Sequence, residues 1–144
     1  MLKRLAKEKS ELLKVTGYSA KAIEYYMDDV NVGIIENPDV TIAHTRPCGD
    51  TMKLYLRIDK NGRIESAKFV YLGCPGLAAS GSALTKLIKG KTIREAKKIT
   101  ESDILKELGG LSESKLDCPK LAITTLQQAI LKYGEEQKTT VNAL

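Results

Sequence analysis

The stretch 52–72, MKLYLRIDKNGRIESAKFVYL, decides the fold. Met52, Leu54, Leu56 and Ile58 alternate with Lys53, Tyr55, Arg57 and Asp59. Successive side chains of a strand point to opposite faces, so this period of two reads as a half-buried antiparallel strand. Asn61-Gly62 follows, a pair that accepts the positive φ of tight hairpin turns. A second strand, Arg63 to Leu72, returns beside the first. Upstream, Val40, Ile42 and His44 alternate with Thr41, Ala43 and Thr45 and read as a third strand. Three strands joined by tight turns make an antiparallel meander, and its apolar face must be covered.

Helices supply the cover. Leu77, Gly81, Leu84 and Ile88 recur at helical spacing as one apolar stripe, and Gly90 ends that helix. Thr92 with Glu95 forms a capping box before a short helix, Ile93 to Ile99. Thr100 with Asp103 forms another before Ile104 to Leu108, which Gly109-Gly110 stops. A last helix, Pro119 to Tyr133, carries Ala122, Leu126, Ala129, Ile130 and Tyr133 on its inner face. At the other end, residues 2–14 read as a basic amphipathic helix ended by Gly17, and Ser19 caps a helix from Ala20 to Met27. Asn31, Gly33 and Asn37-Pro38 break the chain into a loop before the first strand. The order helix, meander, helices is that of an α+β domain: a three-stranded antiparallel sheet packed with several α-helices. The chain divides into a basic helical extension at 1–17, a folded domain at 18–133 and a flexible tail at 134–144.

Composition narrows the function. With 144 residues, 42% apolar and 28% charged, the chain is one globular domain large enough for a core without disulfides. No apolar run is long enough to cross a membrane, and Met1 to Thr16 are too charged for a secretory signal, so a cytoplasmic protein is expected. The net charge of +5 is mild and partly local: residues 1–17 hold Lys3, Arg4, Lys7, Lys9 and Lys14 against Glu8 and Glu11. Trp is absent, and one Phe with six Tyr leaves little for base stacking, so nucleic acid is not an expected partner. Residues 1–17 are expected to lie on the domain as a solvated helix rather than to serve as a docking arm.

The cysteines are the informative residues. Cys48, Cys74 and Cys118 are an odd number, against a disulfide framework. Each adjoins Gly or Pro at an element junction: Pro47-Cys48-Gly49, Gly73-Cys74-Pro75 and Asp117-Cys118-Pro119. Cys74 and Cys118 fall at helix N-termini, where free N–H groups favour thiolate, the nucleophilic and metal-binding form. Cys48 lies in the turn between the first two strands. If that segment is extended, Asp50 two residues on points to the same side and can reach the same ion. Three thiolates select zinc, copper(I) or an iron–sulfur cluster, and a carboxylate in fourth place weakens the hold on a cluster. Plainer readings stand beside these: Asp50 as a turn residue, Lys115 as a solvated lysine, the three cysteines as small core residues. His44, the single histidine, stands about 13 Å along a strand from Cys48, too far for a Cys–His nucleophile pair with it.

Several stretches carry a family resemblance. Tyr18 to Tyr26 (YSAKAIEYY) with Asn31-Val32-Gly33, Pro47-Cys48-Gly49-Asp50 with Met52-Lys53-Leu54, Gly73-Cys74-Pro75-Gly76 with Ala78-Ala79-Ser80, and Lys115-Leu116-Asp117-Cys118 together resemble the NifU/IscU family of iron–sulfur cluster assembly scaffolds. The resemblance covers residues 18–133, and the spacings Cys48 to Cys74 and Cys74 to Cys118 are similar to that family's. It implies a protein that takes persulfide sulfur from a cysteine desulfurase, combines it with iron into a transient [2Fe–2S] cluster and passes the cluster to apo-proteins. Such a protein is a carrier rather than an enzyme in the strict sense. By motif, Cys48, Asp50, Cys74 and Cys118 would hold the cluster, with Asp50 the labile ligand. Cys118 would be the persulfide acceptor, and Lys115 would stabilise its thiolate or persulfide. Implied partners are the desulfurase, apo iron–sulfur proteins and an iron donor or regulator protein. A cluster shared between two chains, hence a homodimer, stays open.

Two positions depart from the family pattern. Asp117 stands where the family commonly has His, and it is either an oxygen ligand to the metal or a helix-capping residue. Leu111-Ser112-Glu113-Ser114-Lys115 lacks the two prolines of the family's chaperone-binding stretch, which argues against recognition by an Hsp70-type chaperone. Two alternatives come from other classes: a zinc-binding sulfur acceptor that never holds a cluster, and a structural zinc module that binds a protein partner. The family's zinc-dependent branch carries a long insertion between the second and third Cys, and this chain has none.

Overall fold

The computed structural model describes residues 2–143. Strands β1 (Val40–Thr45), β2 (Thr51–Ile58) and β3 (Ile64–Leu72) form one antiparallel sheet in the order β1-β2-β3. The α+β expectation and its meander are observed. Met52, Leu54, Leu56 and Ile58 of β2 are buried, and the residues between them are partly exposed. Val40 pairs with Leu56, and Leu54 pairs with Phe69, so the apolar side chains of the three strands share one face. The hairpin differs from a plain two-residue turn. Gly62 takes φ +77°, while Asp59 Oδ1 accepts from the Asn61 and Arg63 amides. The register then slips between Arg57 and Ile58, so Ser66 faces Arg57 while Ile64 faces Ile58. That bulge is why Ile64 and Ala67, at odd spacing, are both buried. Residues 31–33 run beside the outer edge of β3, with Gly33 N–H donating to the Phe69 carbonyl and Phe69 N–H to that of Asn31.

Among the described residues there are six α-helices, of which α3 and α6 pack on the sheet: α1 (Leu2–Val15), α2 (Ala20–Met27), α3 (Pro75–Ile88), α4 (Ile93–Ala96), α5 (Glu101–Leu108) and α6 (Asp117–Ala143). Local chemistry sets their starts. Ser19 Oγ accepts from Ala22 N–H, and both capping boxes, Thr92 with Glu95 and Thr100 with Asp103, are formed. Helix α4 is three residues shorter than its expected end at Ile99. Helix α6 differs most. It begins two residues before Pro119 and continues to Ala143, where the periodicity placed a frayed tail after Tyr133. A short 3-10 turn, Glu113–Lys115, leads directly into Asp117, and an acidic residue suits the first helical turn. Pro119 is still within that turn, where its missing N–H costs no bond. Leu144 lies outside the described residues.

Helix α3 departs from its expected single stripe: it is buried on every side from Gly76 to Thr85. It packs on the sheet through β3 and meets α2, α5 and α6 around the rest of its circumference. Small residues make this possible, and its hydroxyls are satisfied internally. Ser80 Oγ donates to the Gly76 carbonyl, Thr85 Oγ1 to that of Gly81, and Ser82 Oγ to that of Val30. By contrast α1 buries no residue; it lies along α2 with the Lys9 ammonium 4.8 Å over the Tyr26 ring. No helix among the described residues is long and apolar enough to cross a membrane.

Gly81 marks the closest approach. A Cβ there would clash with the Phe69 ring at Cε2, Cζ and Cδ2, and Phe69 is fully buried. Helix propensity favours alanine over glycine by about 1 kcal/mol, whereas overpacking a core costs about 1–3 kcal/mol. Since the ring is fully buried and three of its atoms crowd that position, Gly81→Ala lowers the unfolding free energy in urea denaturation. An unchanged or raised midpoint would mean that the ring moves aside freely.

Candidate thiol and metal site

The buried α3 ends toward the β1–β2 turn, and its N-terminus carries Cys74. Cys74 is the N-cap residue, with extended φ and ψ, and Pro75 occupies the first turn. Cys118 enters from α6 and is buried. The two sulfurs lie 3.6 Å apart. Glycine permits this crowding. A Cβ on Gly76 would lie 3.4 Å from Cys118 Sγ, 3.4 Å from Tyr18 Cε1 and 3.5 Å from Cys74 Sγ. A Cβ on Gly73 would lie 3.3 Å from Asp50 Oδ1, so the Asp50 carboxylate borders the same pocket.

The pair is electrostatically unequal. Cys74 is lowered to about 5, first by the hydrogen bond from the Cys118 S–H, against the opposing cost of burial. The Leu77 and Gly76 amides and the Lys115 charge push the same way, although no N–H makes a full capping bond to its sulfur. Cys118 moves upward, because its S–H donates to the Cys74 thiolate, because it is buried, and because the Cys74 and Asp50 charges oppose a second anion. The helix N-termini alone suggested two thiolates. The structure holds one, on Cys74, with Cys118 as its donor, because two adjacent thiols cannot both ionise cheaply in a partly buried place. Lys115 in the 3-10 turn is raised chiefly by the Cys74 charge, and its Nζ stands 5.9 Å over the Tyr18 ring.

Cys48 is not brought to the pair. It is exposed in the turn 46–50, which is closed by Gly49 N–H to the Arg46 carbonyl and Arg46 N–H to that of Asp50, each at 2.8 Å. Gly49 has φ +98°, so the segment is a tight turn rather than extended chain. Positions i and i+2 therefore diverge: Asp50 faces inward and Cys48 outward. Among the described residues no group of three or more His, Cys, Asp and Glu side chains stands close enough to hold one metal ion. Asp117 does not face the thiols freely either, since its Oδ2 lies 3.2 Å from Arg46 Nη2. His44 lies on β1 opposite Met52, and the thiol pair is bonded within itself without an imidazole.

Two residues escaped the sequence reading. Tyr18 packs against Gly76 beside the thiols, with burial and the Cys74 charge raising its phenol, but in sequence it stood only as the first residue of a family-like stretch, with no role at the site. Arg46 carried no local signal at all.

Residues 17–140 match the family described as the NifU-like N terminal domain. The chain belongs to that family. It is 41% identical over 117 residues to a protein of Archaeoglobus fulgidus named iron-sulfur cluster assembly scaffold protein IscU 1, covering 81% of this chain and 76% of that one. It is 39% identical over 128 residues to the Drosophila melanogaster protein named iron-sulfur cluster assembly enzyme IscU, covering 86% and 82%. The crystal structure of the N-terminal part of a nitrogen-fixing NifU-like protein from Brucella abortus superposes with a TM-score of 0.61 over 81% of this chain and 93% of that one. At 19% identity that likeness is one of fold.

The unequal thiols give a direct test. In the metal-free protein, alkylation of Cys74 by iodoacetamide follows a midpoint near pH 5, thiolate above it and thiol below, while Cys118 stays unreactive through neutrality. Cys118→Ala removes the principal donor, so the Cys74 midpoint moves upward toward that of an ordinary thiol. A Cys74 midpoint that stays put in this variant would show that the pair is not the cause.

Proposed function

We propose that this protein is a scaffold on which an iron–sulfur cluster is built and from which it is handed to apo-proteins. The observation that carries the reading is the Cys74–Cys118 pair at 3.6 Å. Two thiolates bound tetrahedrally at about 2.3 Å to one metal stand about 3.8 Å apart, so this pair already has the span of a two-thiolate chelate. The scaffold names of the A. fulgidus relatives support the same reading.

In this reading the cluster is cargo of the [2Fe–2S] type, with Cys48, Asp50, Cys74 and Cys118 as its ligands. The pair and Asp50 are the preformed part; Cys48 joins when the exposed turn rotates. A cysteine desulfurase supplies the sulfur as persulfide. The Cys74 thiolate attacks the outer sulfur of that persulfide, whose S–S bond breaks and whose thiolate leaves. Cys118 then attacks the outer sulfur on Cys74, and the Cys118 proton passes to the departing Cys74 sulfur. Sulfur thus comes to rest on Cys118, with the Lys115 ammonium beside it. Asp50 is the hard ligand among soft ones, and its exchange opens the cluster for release.

Iron and acid-labile sulfide per chain after anaerobic reconstitution, with zinc present in competition, test the proposal. Near-equal iron and sulfide that move to an apo-ferredoxin support it; zinc held tightly with no sulfide overturns it in favour of a zinc-binding sulfur acceptor or a structural zinc module. Asp50→Ala slows cluster transfer by about tenfold, the equivalent of about 1.4 kcal/mol in the barrier. Transfer at the parent rate or faster would remove the role given to Asp50.

A further inference from the structure

We infer that Arg46 and Asp117 form a positioning pair that clips the Cys48-bearing turn onto the first turn of α6, beside Cys118. Both backbone bonds that close the turn, Gly49 N–H to the Arg46 carbonyl and Arg46 N–H to the Asp50 carbonyl, involve Arg46. The place of the Arg46 side chain therefore sets the place of Cys48 and Asp50. Its guanidinium reaches Asp117 at 3.2 Å, the first residue of α6 and the direct neighbour of Cys118. The clip thus joins two segments that carry thiols but are far apart in sequence.

Beyond Arg46, one further bond holds the turn, from Thr51 Oγ1 to the Gly49 carbonyl at 3.0 Å, and its outer side is open. Cys48 and Gly49 are exposed, and a Cβ on Gly49 would meet nothing within 4 Å. The strand ends below it are joined by Thr45 Oγ1 and Thr51 Oγ1 at 2.9 Å. A turn open on its outer side can swing, and a charge pair at its base limits that swing without filling the space that Cys48 needs. The guanidinium also neutralises a carboxylate that would otherwise repel thiolates from one residue away. It holds that carboxylate in an ion pair, which makes Asp117 an anchor rather than a ligand. Arginine suits the task, because its charge persists at every working pH and its planar fork matches a carboxylate.

The Arg46 and Asp117 side chains are 30% and 57% exposed, so the pair contributes little to global stability. Its effect is local, on the range of turn conformations from which Cys48 can swing toward the thiol pair. Its consequence for cluster retention rests on the scaffold reading above; its effect on the turn does not.

The test is a double-mutant cycle of Arg46→Gln, Asp117→Asn and the two together. Two quantities are read: hydrogen exchange of the 46–50 amides in the metal-free protein, and the rate of cluster loss to a chelator after reconstitution. Each single variant speeds both by about two- to fivefold, the range of a partly exposed ion pair. The double variant goes no further than a single one, the melting temperature barely moves, and Asp117→Glu, which keeps the charge, behaves as the parent. Unchanged exchange in both single variants overturns the clip. So do effects that multiply in the double variant. Faster cluster loss in Asp117→Asn but not in Arg46→Gln also overturns it and makes Asp117 a ligand. A parent protein that takes up no iron and sulfide refutes the scaffold reading, while the exchange measurement still decides the clip.

Discussion

Helix α3 is enclosed by the sheet on one side and by α2, α5 and α6 on the others, and this confinement sets the terms for the rest of the molecule. A helix buried on all sides must be lined with small residues or push its neighbours away. Gly81 lets the Phe69 ring lie against its backbone, and Phe69 also receives the bridging segment at residues 31–33. The hydroxyls of Ser80, Ser82 and Thr85 find carbonyl partners, so burial leaves them satisfied. Because the body of the helix cannot shift, its N-terminus cannot either. Cys74 is thus presented at a fixed point, with Gly73 and Gly76 leaving room for Asp50, Cys118 and Tyr18 around it.

The chemistry follows from what is packed around that point. One buried thiol, Cys118, meets one half-buried thiol, Cys74, and the shared proton settles on the deeper sulfur. Helix amides and the Lys115 ammonium face Cys74, while the Asp50 carboxylate raises Cys118. The result is a polarised pair: an anion toward the open side and a proton donor behind it. A symmetric pair of thiolates would carry its full repulsion in the metal-free state. The polarised pair avoids this and still yields two ligands once a cation replaces the proton.

Much of this architecture was legible from local pattern. The alternation in 52–58 gave β2 with its buried face, and the capping residues placed the starts of α2, α4 and α5. Other features were not legible. Ser80, Ser82 and Thr85 count as polar in any periodicity, so full burial of α3 looked like a single stripe. The bulge at Arg57 and Ile58 leaves no mark in composition, and the run of α6 to Ala143 passes through residues that no apolar period demands.

The sequence by itself determined the buried face of β2, the starts of α2, α4 and α5, the three junction cysteines and the motifs of the family. Each is a matter of neighbours within about four residues, where backbone geometry alone decides who meets whom. Tertiary structure alone decided which of those groups share a site. Cys74 meets Cys118 because α3 and α6 pack together, Asp50 turns inward because the 46–50 turn is tight, and the same tightness sends Cys48 outward. Arg46 reaches Asp117 only because the sheet and α6 converge at one end. Meetings between residues so distant in the chain depend on how a closed core orients its elements, and no local pattern encodes that orientation.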